Sequence, residues 1–525
     1  MRVTQLEICR IACFLISLYA TGGNTERFSS GDTLWPLPRE LEASGGPLPL
    51  SLAFTIQTSS ESEILARGIT RYLEIITTHL HTAARSRVNG SKELEVLRIS
   101  VKSDDESLNE GTSYEYSLSF DSGPQATLTA LTPYGALYGM ETFSQLVVDG
   151  SLVYTSVSIS DKPSFVHRGL MLDTGRRFFP MDLLYNTLDA MSYVKLNVLH
   201  FHLSDLCRFS VESKLFPDLR NNESEIYTQD DVRNLVAYAR DRGIRVMPEV
   251  EGAAHANGLL GLKNKGLQFC NHSGYTQLYN DPQGNTLKTM KAILSEMVPL
   301  FPEQIFHLGL DEVFTDKNCT LQSLQSFELA LQEHLLQLGK IPAAWEEALS
   351  STKSVTNRTV IQAWKAEGIK TIVDLKQFAI NSLSSHFYLN YMGVTPLQLW
   401  TDIAVGLNET EVQYLLGGEM AMWTDNYCYI LECAYPLSAK PSAYWMYDPL
   451  HDGTFTQSVA GIIWPRAVVG AGSFWNYNSD LSADSAEFNM RYQGQHKRLI
   501  ERGIISCPVG CSCDELTRCG KPYFK

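Results

Sequence analysis

The chain is short of basic residues and has no long apolar run beyond its N-terminus. It holds 43 Lys and Arg against 58 Asp and Glu, which gives a formal net charge of −15 at pH 7. An acidic balance of this size argues against a nucleic-acid-binding surface. No later segment is long and apolar enough to cross a bilayer. With 525 residues, 44% of them hydrophobic, the chain is predicted to form two or three globular domains.

Several catalytic signatures are also missing. No Gly-rich phosphate-binding turn follows any predicted strand, and no Gly-x-Ser-x-Gly nucleophile turn occurs. No cysteine has the local signature of a nucleophile. His200 and His202 lie on a predicted strand without a third convincing ligand, so we predict no metal and no cofactor.

The N-terminus has the pattern of a secretory signal. Arg2 and Arg10 precede or adjoin a short apolar run, 11–20, and a small-x-small cleavage site follows at 20–22. We therefore predict a signal peptide at 1–22, with an N-terminal membrane anchor as the alternative. Six glycosylation sequons favour a lysosomal or extracellular glycoprotein. They are Asn89, Asn222, Asn271, Asn318, Asn357 and Asn408.

The cysteines fit the same compartment. Of 11 cysteines, Cys9 and Cys13 leave with the signal, and most of the remaining nine should pair under oxidising conditions. An odd number implies at least one free or intermolecular thiol, for which we predict Cys207. The tail at 506–525 lacks a zinc-like ligand pattern, so its cysteines are predicted to form disulfides. They are Cys507, Cys511, Cys513 and Cys519.

From 163 to 505 apolar strand-like runs alternate with amphipathic helical patterns, such as 181–196, 228–242 and 285–300. Eight such strands predict an α/β fold, a (β/α)8 TIM barrel, rather than a doubly wound open sheet. A long loop or insertion before the final barrel helix is expected at 428–461, where periodicity is weak. The predicted strands begin at His167, Asn197, Ile244, Gln304, Ile341, Thr359, Phe378 and Val412.

The portion before the barrel reads differently. Residues 30–162 hold strands of alternating polarity at 114–120 and 126–131, then a helical stretch at 135–147. This pattern is typical of a smaller α+β domain. It carries no obvious chemistry of its own.

Polar and aromatic residues collect where the predicted barrel strands end, which is where barrel enzymes carry their active sites. Singly, each could be a core aromatic, a loop histidine or a surface ion pair. Core packing gives no reason for all of them to share one end. Indole rings stack on sugars and carboxylates hold hydroxyl groups, so the set predicts a carbohydrate site. In strand order they are Asp173, Arg176, Asp205, Glu249, Glu251, His255, Asp311, Glu312, Trp345, Glu346, Trp364, Tyr388, Asn390, Trp423 and Asp425.

Five motifs carry a family resemblance: HRGL at 167–170, DTGR at 173–176, HFHLSD at 200–205, HLGLDEV at 307–313 and WPRA at 464–467. In this order they resemble the β-N-acetylhexosaminidases of glycoside hydrolase family 20. The likeness runs from about residue 35 almost to the C-terminus. It implies an exo-acting enzyme that removes terminal GlcNAc or GalNAc with retention, using the substrate's own acetamido oxygen as the nucleophile.

The resemblance also implies roles for the residues at the strand ends. Glu312 would be the general acid and then the base, Asp311 would accept the acetamido N–H, and Tyr388 would donate to the acetamido oxygen. Burial among indoles and a neighbouring carboxylate are expected to raise the pKa of Glu312. The remaining predicted substrate-binding residues are Arg176, Asp205, His255, Trp345, Trp364, Asn390, Trp423 and Asp425.

Two further expectations concern covalent and quaternary structure. Cys270 and Cys319 are predicted to pair, and a homodimer is expected because relatives are commonly dimers. The alternatives on the same scaffold are a catalytically weak, lectin-like sugar-binding protein and a relative that releases a disaccharide. The completeness of Asp311, Glu312 and Tyr388 favours the enzyme.

The chain departs from the family pattern near the acidic pair. Leu310 stands where the family usually has Gly, and Phe201 replaces a more usual Trp. The usual Asp-x-Pro-Gly-His loop is here 251–255, Glu-Gly-Ala-Ala-His. Tyr391 occupies a variable position. None of these changes removes a group that the chemistry needs.

Overall fold

The structure is a computed structural model that describes residues 34–78, 80, 92–219, 225–272, 275–366, 368–391, 393–425 and 454–506. The predicted signal peptide, Asn89, Asn222 and the cysteines of the tail lie outside these residues. Within them, no helix is long and apolar enough to cross a membrane.

The first part of the chain forms a mixed eight-stranded sheet in the order β1-β8-β4-β5-β3-β2-β7-β6. Side chains of β4 alternate between buried and exposed, as expected when one face is covered. The strands are Glu40–Ser44 (β1), Leu48–Thr58 (β2), Leu94–Val101 (β3), Tyr116–Asp121 (β4), Gln125–Ala130 (β5), Val147–Val148 (β6), Ser151–Leu152 (β7) and Ser156–Asp161 (β8).

Eight parallel strands then close into a barrel, which confirms the predicted fold class. All eight observed strands overlap the predicted ones. β9 and β10 are buried along their whole length, as expected for strands covered on both faces. In barrel order they are His167–Asp173 (β9), Val198–His202 (β10), Arg245–Glu249 (β11), Ile305–His307 (β14), Ile341–Trp345 (β15), Val360–Ala363 (β16), Ala379–Asn381 (β17) and Leu415–Met422 (β18).

Helices surround the barrel, with two more in the first part of the chain. Gln229–Arg240 begins with a capping box of Thr228 and Asp231. In order the helices are Glu63–Thr77 (α1), Pro133–Gln145 (α2), Met181–Tyr193 (α3), Gln229–Arg240 (α4), Asn285–Met297 (α5), Leu321–Gln337 (α6), Glu347–Ser350 (α7), Gly368–Asp374 (α8), Ser384–Phe387 (α9), Pro396–Leu399 (α10), Glu409–Val412 (α11), Thr454–Ile463 (α12), Arg466–Asn476 (α13) and Ala486–Glu501 (α14). Short 3₁₀ helices occupy Pro217–Leu219, Ala256–Lys265 and Val298–Leu300.

A small hairpin of Phe269–His272 (β12) and Tyr275–Leu278 (β13) contacts the loop that follows β14. A disulfide between Cys270 and Cys319 joins the two, with Cα atoms 6.2 Å apart, as expected for this pair.

Two predictions are wrong. Cys207 is disulfide-bonded rather than free, because an odd count shows that one thiol is left over but not which. The loop or insertion expected at 428–461 ends earlier, because the chain is helical from Thr454 onward and four apolar residues at the end of α12 lie in one buried turn. The rest of that segment, up to 453, lies outside the described residues.

A buried ion pair fastens the first sheet to the barrel. Asp161, the last residue of β8, accepts hydrogen bonds from Lys195 Nζ at 3.0 Å and from Trp475 Nε1 at 3.0 Å. The Tyr116 hydroxyl donates to the same carboxylate at 2.6 Å. Burial lowers the pKa of Lys195 while Asp161 opposes that shift. The two charges are therefore stable in the interior only together.

We expect Lys195→Met to destabilise the protein by about 3–5 kcal/mol, because it leaves Asp161 charged and buried without its cation. Urea unfolding followed by tryptophan fluorescence measures the change. Lys162→Met, on the neighbouring residue, is the control and should alter stability little. Equal stability of Lys195→Met and the wild type would contradict the assigned role.

A second buried carboxyl makes stability depend on pH. Glu328 lies on the inner face of α6, where Thr352 Oγ1 donates to it at 2.7 Å and Ser354 Oγ also donates. Burial raises the pKa of Glu328 from 4.5 to about 7. The folded state thus holds this proton more tightly than the unfolded state, and stability falls as pH rises from about 4.5 to about 7.

We predict that Glu328→Gln removes part of this pH dependence. The pKa shift corresponds to about 3 kcal/mol lost between pH 4.5 and pH 7, so the variant should gain on the wild type as pH rises. Thermal unfolding at pH 5 and pH 8 measures the difference. A parallel pH response in both proteins would rule out the buried carboxyl as its cause.

Candidate active site

The C-terminal ends of the barrel strands deliver one cluster of polar and aromatic side chains. Each predicted site residue follows or ends its strand as expected. The cluster contains, in strand order, Arg176, Asp205, His255, Asp311, Glu312, Trp345, Trp364, Tyr388, Asn390, Trp423 and Asp425.

The backbone of the acidic pair is unusual. Gly309, Leu310 and Glu312 have φ of +68°, +71° and +48°, the left-handed region that costs non-glycine residues about 1 kcal/mol or more. Gly309 N donates to His307 Nδ1 at 3.0 Å, and Trp345 N donates to Gly309 O at 2.9 Å. The segment after β14 is therefore a fixed turn and not the first turn of a helix.

Arg176 gathers three carboxylates on one side of the cluster. Its Nη1 lies 3.0 Å from Asp173 Oδ2 and 2.9 Å from Asp205 Oδ2, and its Nε lies 3.3 Å from Asp425 Oδ1. Burial opposes its charge, but the three carboxylates raise the pKa of Arg176 well above its usual value. The guanidinium also lies over the Trp423 ring, 5.0 Å from the centroid. Arg176 is thus a permanent, immobilised cation.

His255 connects Asp205 to the acidic pair. Its Nδ1 lies 3.5 Å from Asp205 Oδ1, while its Nε2 lies 3.2 Å from Glu312 Oε2 and 3.6 Å from Asp311 Oδ2. Burial disfavours the imidazolium, but Asp205 and Asp311 raise the pKa of His255 well above its usual value. The histidine is therefore a cation that faces carboxylates on both sides.

The side chain of Glu312 is 57% exposed. The hydrogen bond with His255 lowers the pKa of Glu312, outweighing partial burial. The expectation of a raised pKa for Glu312 is therefore wrong for this structure. The cation beside the carboxylate has a larger effect than the indole rings, because Glu312 points toward solvent.

Asp311 and Tyr388 contribute buried polar groups to the cluster. Asp311 Oδ1 and Asn390 Oδ1 are buried and have no hydrogen-bond partner among the described residues. Burial raises the pKa of the Tyr388 hydroxyl well above its usual value, so it remains a donor. Buried polar atoms are normally satisfied, so these oxygens are suited to a ligand that brings its own donors.

Aromatic rings enclose these groups. Trp345 and Trp423 lie with centroids 5.8 Å apart, Tyr388 lies 6.0 Å from Trp423, and Trp364 stacks on Tyr388 at 6.3 Å. Trp345 is 1% exposed and its Nε1 donates to Glu249 Oε1 at 3.0 Å, so it is the most deeply buried of these aromatic residues. Trp364 Nε1 donates to Glu347 Oε2 at 3.1 Å.

A buried histidine–carboxylate network lies beneath the cluster. Glu249 Oε2 is 2.9 Å from His200 Nε2 and 2.5 Å from His202 Nδ1, and its Oε1 is 3.0 Å from His307 Nδ1. Glu419 Oε1 lies 2.7 Å from His200 Nδ1. Despite burial, the two carboxylates raise the pKa of His200 to about 9.

The sequence reading missed this network. His200, Glu249 and His307 have the composition of a metal triad, with ligand atoms within 4.8 Å of one another. The sequence feature that could have indicated it is the two-residue spacing of His200 and His202 on β10, because side chains two apart on a strand lie on the same face. Partners on β11 and β18 become adjacent only through the barrel register.

The family model described as glycosyl hydrolase family 20, catalytic domain, matches residues 165–429, and the one described as beta-acetyl hexosaminidase like matches residues 34–146. Mouse beta-hexosaminidase subunit beta is 32% identical over 91% of this chain and 92% of its own. Beta-hexosaminidase 1 of Arabidopsis thaliana is 30% identical over 91% of each chain.

Solved structures agree at the level of the fold. The chitobiase of Flavobacterium johnsoniae superposes with a TM-score of 0.73 at 24% identity, covering 91% of this chain and 74% of its own. A beta-N-acetylglucosaminidase of Vibrio harveyi, solved with N-acetylglucosamine, superposes with a TM-score of 0.70 at 19% identity, covering 92% of this chain and 79% of its own. With its barrel, its acidic turn and these relatives, the chain belongs to glycosyl hydrolase family 20 and is a β-N-acetylhexosaminidase.

Proposed function

We propose that this hydrolase removes terminal GlcNAc or GalNAc with retention, through attack by the substrate's own acetamido oxygen. The observation that carries the proposal is the placement of Asp311 and Glu312. Both carboxylates lie within 3.6 Å of the same atom, His255 Nε2. A retaining enzyme with its own nucleophile needs two carboxyl groups about 5 Å apart on either side of the scissile bond. Two groups on one turn, beside one histidine, favour a nucleophile supplied by the sugar.

In the first half of the proposed reaction, the acetamido N–H donates to Asp311 Oδ1, the buried oxygen that has no partner among the described residues. The acetamido oxygen attacks the anomeric carbon while the Tyr388 hydroxyl donates to that oxygen. Glu312 gives its proton to the leaving glycosidic oxygen as the bond breaks. An oxazolinium ion forms, and the carboxylate of Asp311 stabilises its positive charge.

In the second half, water enters where the leaving group stood. Glu312, now ionised, takes a proton from the water as it attacks the anomeric carbon, and the acetamido oxygen leaves. Both displacements invert the anomeric centre, so the net outcome is retention. Glu312 ends protonated and the cycle can repeat.

Substrate binding also accounts for how Glu312 holds a proton. With its side chain 57% exposed, Glu312 loses water when a sugar covers it, and desolvation raises the pKa of a carboxyl group. This desolvation acts against the effect of His255, which lowers the pKa of Glu312, and it favours the protonated form that the first step requires.

The rest of the cluster is proposed to hold the terminal sugar. Arg176 and Asp425 face each other at 3.3 Å across the edge of the cluster and suit the ring hydroxyls. Trp364, Trp423 and Trp345 offer apolar faces to the sugar. Asn390 Oδ1, which is buried and has no hydrogen-bond partner in the described part of the chain, is suited to a hydroxyl donor.

We also propose that the protein is a secreted or lysosomal glycoprotein that forms a homodimer. The Cys270–Cys319 disulfide supports an oxidising compartment. Sequons require exposed asparagines, and Asn318, Asn357 and Asn408 are exposed. Asn271 lies on β12 beside the disulfide.

We expect Glu312→Gln to lower kcat/KM on an aryl β-N-acetylglucosaminide at least about a hundredfold, because the amide can neither give nor take the proton. Activity assays at the optimum pH measure the loss. Glu333→Gln, an exposed change on α6, is the control and should retain full activity. Turnover by Glu312→Gln at the wild-type rate would refute the role of Glu312.

We predict that the first sugar released is the β-anomer, and that a trifluoroacetamido substrate reacts more slowly. Fluorine withdraws electron density from the acetamido oxygen and weakens it as a nucleophile. Proton NMR of fresh product identifies the anomer, and matched substrates give the rate ratio. An α-anomer as first product, or equal rates for both substrates, would contradict attack by the acetamido oxygen.

A further inference from the structure

Two loops are in contact at the acidic pair. One is 250–255 after β11, and the other is 308–312 after β14, which contains Asp311 and Glu312. We propose that they interlock, and that Leu310 and Glu251 are positioning residues that set His255 against Glu312. The inference rests on the acid and base role proposed above for Glu312. It names two further residues for that reaction.

Leu310 supplies one half of the interlock. Its side chain is fully buried, and its Cδ2 would lie 3.0 Å from a Cβ added at Gly252. Such a Cβ would also lie 3.1 Å from Leu308 O and 3.2 Å from Leu331 Cδ1. Contacts this short require neighbouring atoms to move. Leu310 therefore fills the space that any larger residue at 252 would need.

Glu251 supplies the other half. Its carboxyl group lies over Gly309, so that a Cβ at Gly309 would overlap it. The side chain is buried, and Oε2 has no hydrogen-bond partner among the described residues. Because Gly309 has φ of +68°, the position favours glycine on conformational grounds as well. Each loop thus presents one large side chain to a glycine of the other.

The backbones of the two loops are joined at the same place. Gly252 N donates to Leu308 O at 2.8 Å, and Val250 N donates to His307 O at 3.1 Å. The loops can neither slide along each other nor separate without breaking these hydrogen bonds. His255 lies three residues beyond Gly252 and Glu312 two beyond Leu310, so the interlock sets their contact of 3.2 Å.

The interlock also accounts for backbone strain. His255, Leu310 and Glu312 have φ of +51°, +71° and +48°. Non-glycine residues persist in this region only where surrounding structure determines them. The packing of Leu310 on Gly252 and of Glu251 on Gly309 holds the backbone in these conformations on both sides of the contact between His255 and Glu312.

The test begins with Leu310→Gly, which removes the side chain while glycine accepts a φ of +71°. The alkaline limb of kcat/KM should move to higher pH, because a displaced His255 no longer lowers the pKa of Glu312. A displacement of about 1 Å should also lower kcat by about tenfold or more. Leu335→Ala, another buried leucine change on α6, is the control for lost packing and should keep the wild-type pH profile.

Gly252→Ala tests the other side of the same contact. Its added Cβ should lower kcat about tenfold, and Leu310→Gly in the same chain should restore part of that loss. Strictly additive effects, or a wild-type alkaline limb in Leu310→Gly, would overturn the interlock. If Leu310→Gly does not fold, Glu251→Asp replaces it in the test. Its shorter side chain leaves Gly309 uncovered and should also move the alkaline limb of kcat/KM to higher pH.

The outcomes separate this inference from the proposed function. A wild-type alkaline limb in Leu310→Gly with an inactive Glu312→Gln refutes the interlock alone. An active Glu312→Gln refutes the proposed role of Glu312, whatever the Leu310 variant does.

Discussion

The burial of Glu249 at the centre of the barrel is the constraint on which the site depends. A carboxylate without water is stable only beside cations and donors, and Glu249 has His200, His202 and Trp345 within 3.0 Å. These partners come from two other strands. Their burial positions the strand ends from which the residues of the site project.

The charges continue upward from Glu249 in alternating order. His202 lies between Glu249 and Asp205, at 2.5 Å and 2.9 Å. Asp205 then faces both Arg176 and His255, and these cations lower its pKa well below the usual value despite burial. Glu249 and Asp205 thus each have a cationic neighbour, and Glu312, whose side chain is 57% exposed, is the most exposed group of this series. The proton transfer proposed for Glu312 fits that exposure.

Much of this arrangement could be predicted from sequence. The eight barrel strands have apolar runs of the right length, and parallel strands place their C-terminal residues at one end. This is why Arg176, His255 and Tyr388 could be assigned to one site although they lie far apart in sequence. The capping box at Thr228 could also be predicted, because a local pattern determines it.

What could not be predicted depends on contacts across elements. The pKa of Glu312 is decided by the distance to His255, and the partner of Cys207 by the path of the chain. The interlock was visible only as two departures, Leu310 and Glu251. The role of either residue becomes clear only from its packing against Gly252 or Gly309, because packing against a backbone leaves no periodic pattern in the sequence.

The closure of the barrel has a consequence for how the protein is made. β9 is the first barrel strand and β18 the last, and they pair from His167 with Gly417 to Leu172 with Met422. Arg176 meets Trp423 and Asp425 across this seam. During synthesis, the side chains that would grip a sugar remain unassembled until the ribosome has released nearly the whole barrel. The nascent chain thus spends most of its elongation without a complete pocket for a sugar ligand.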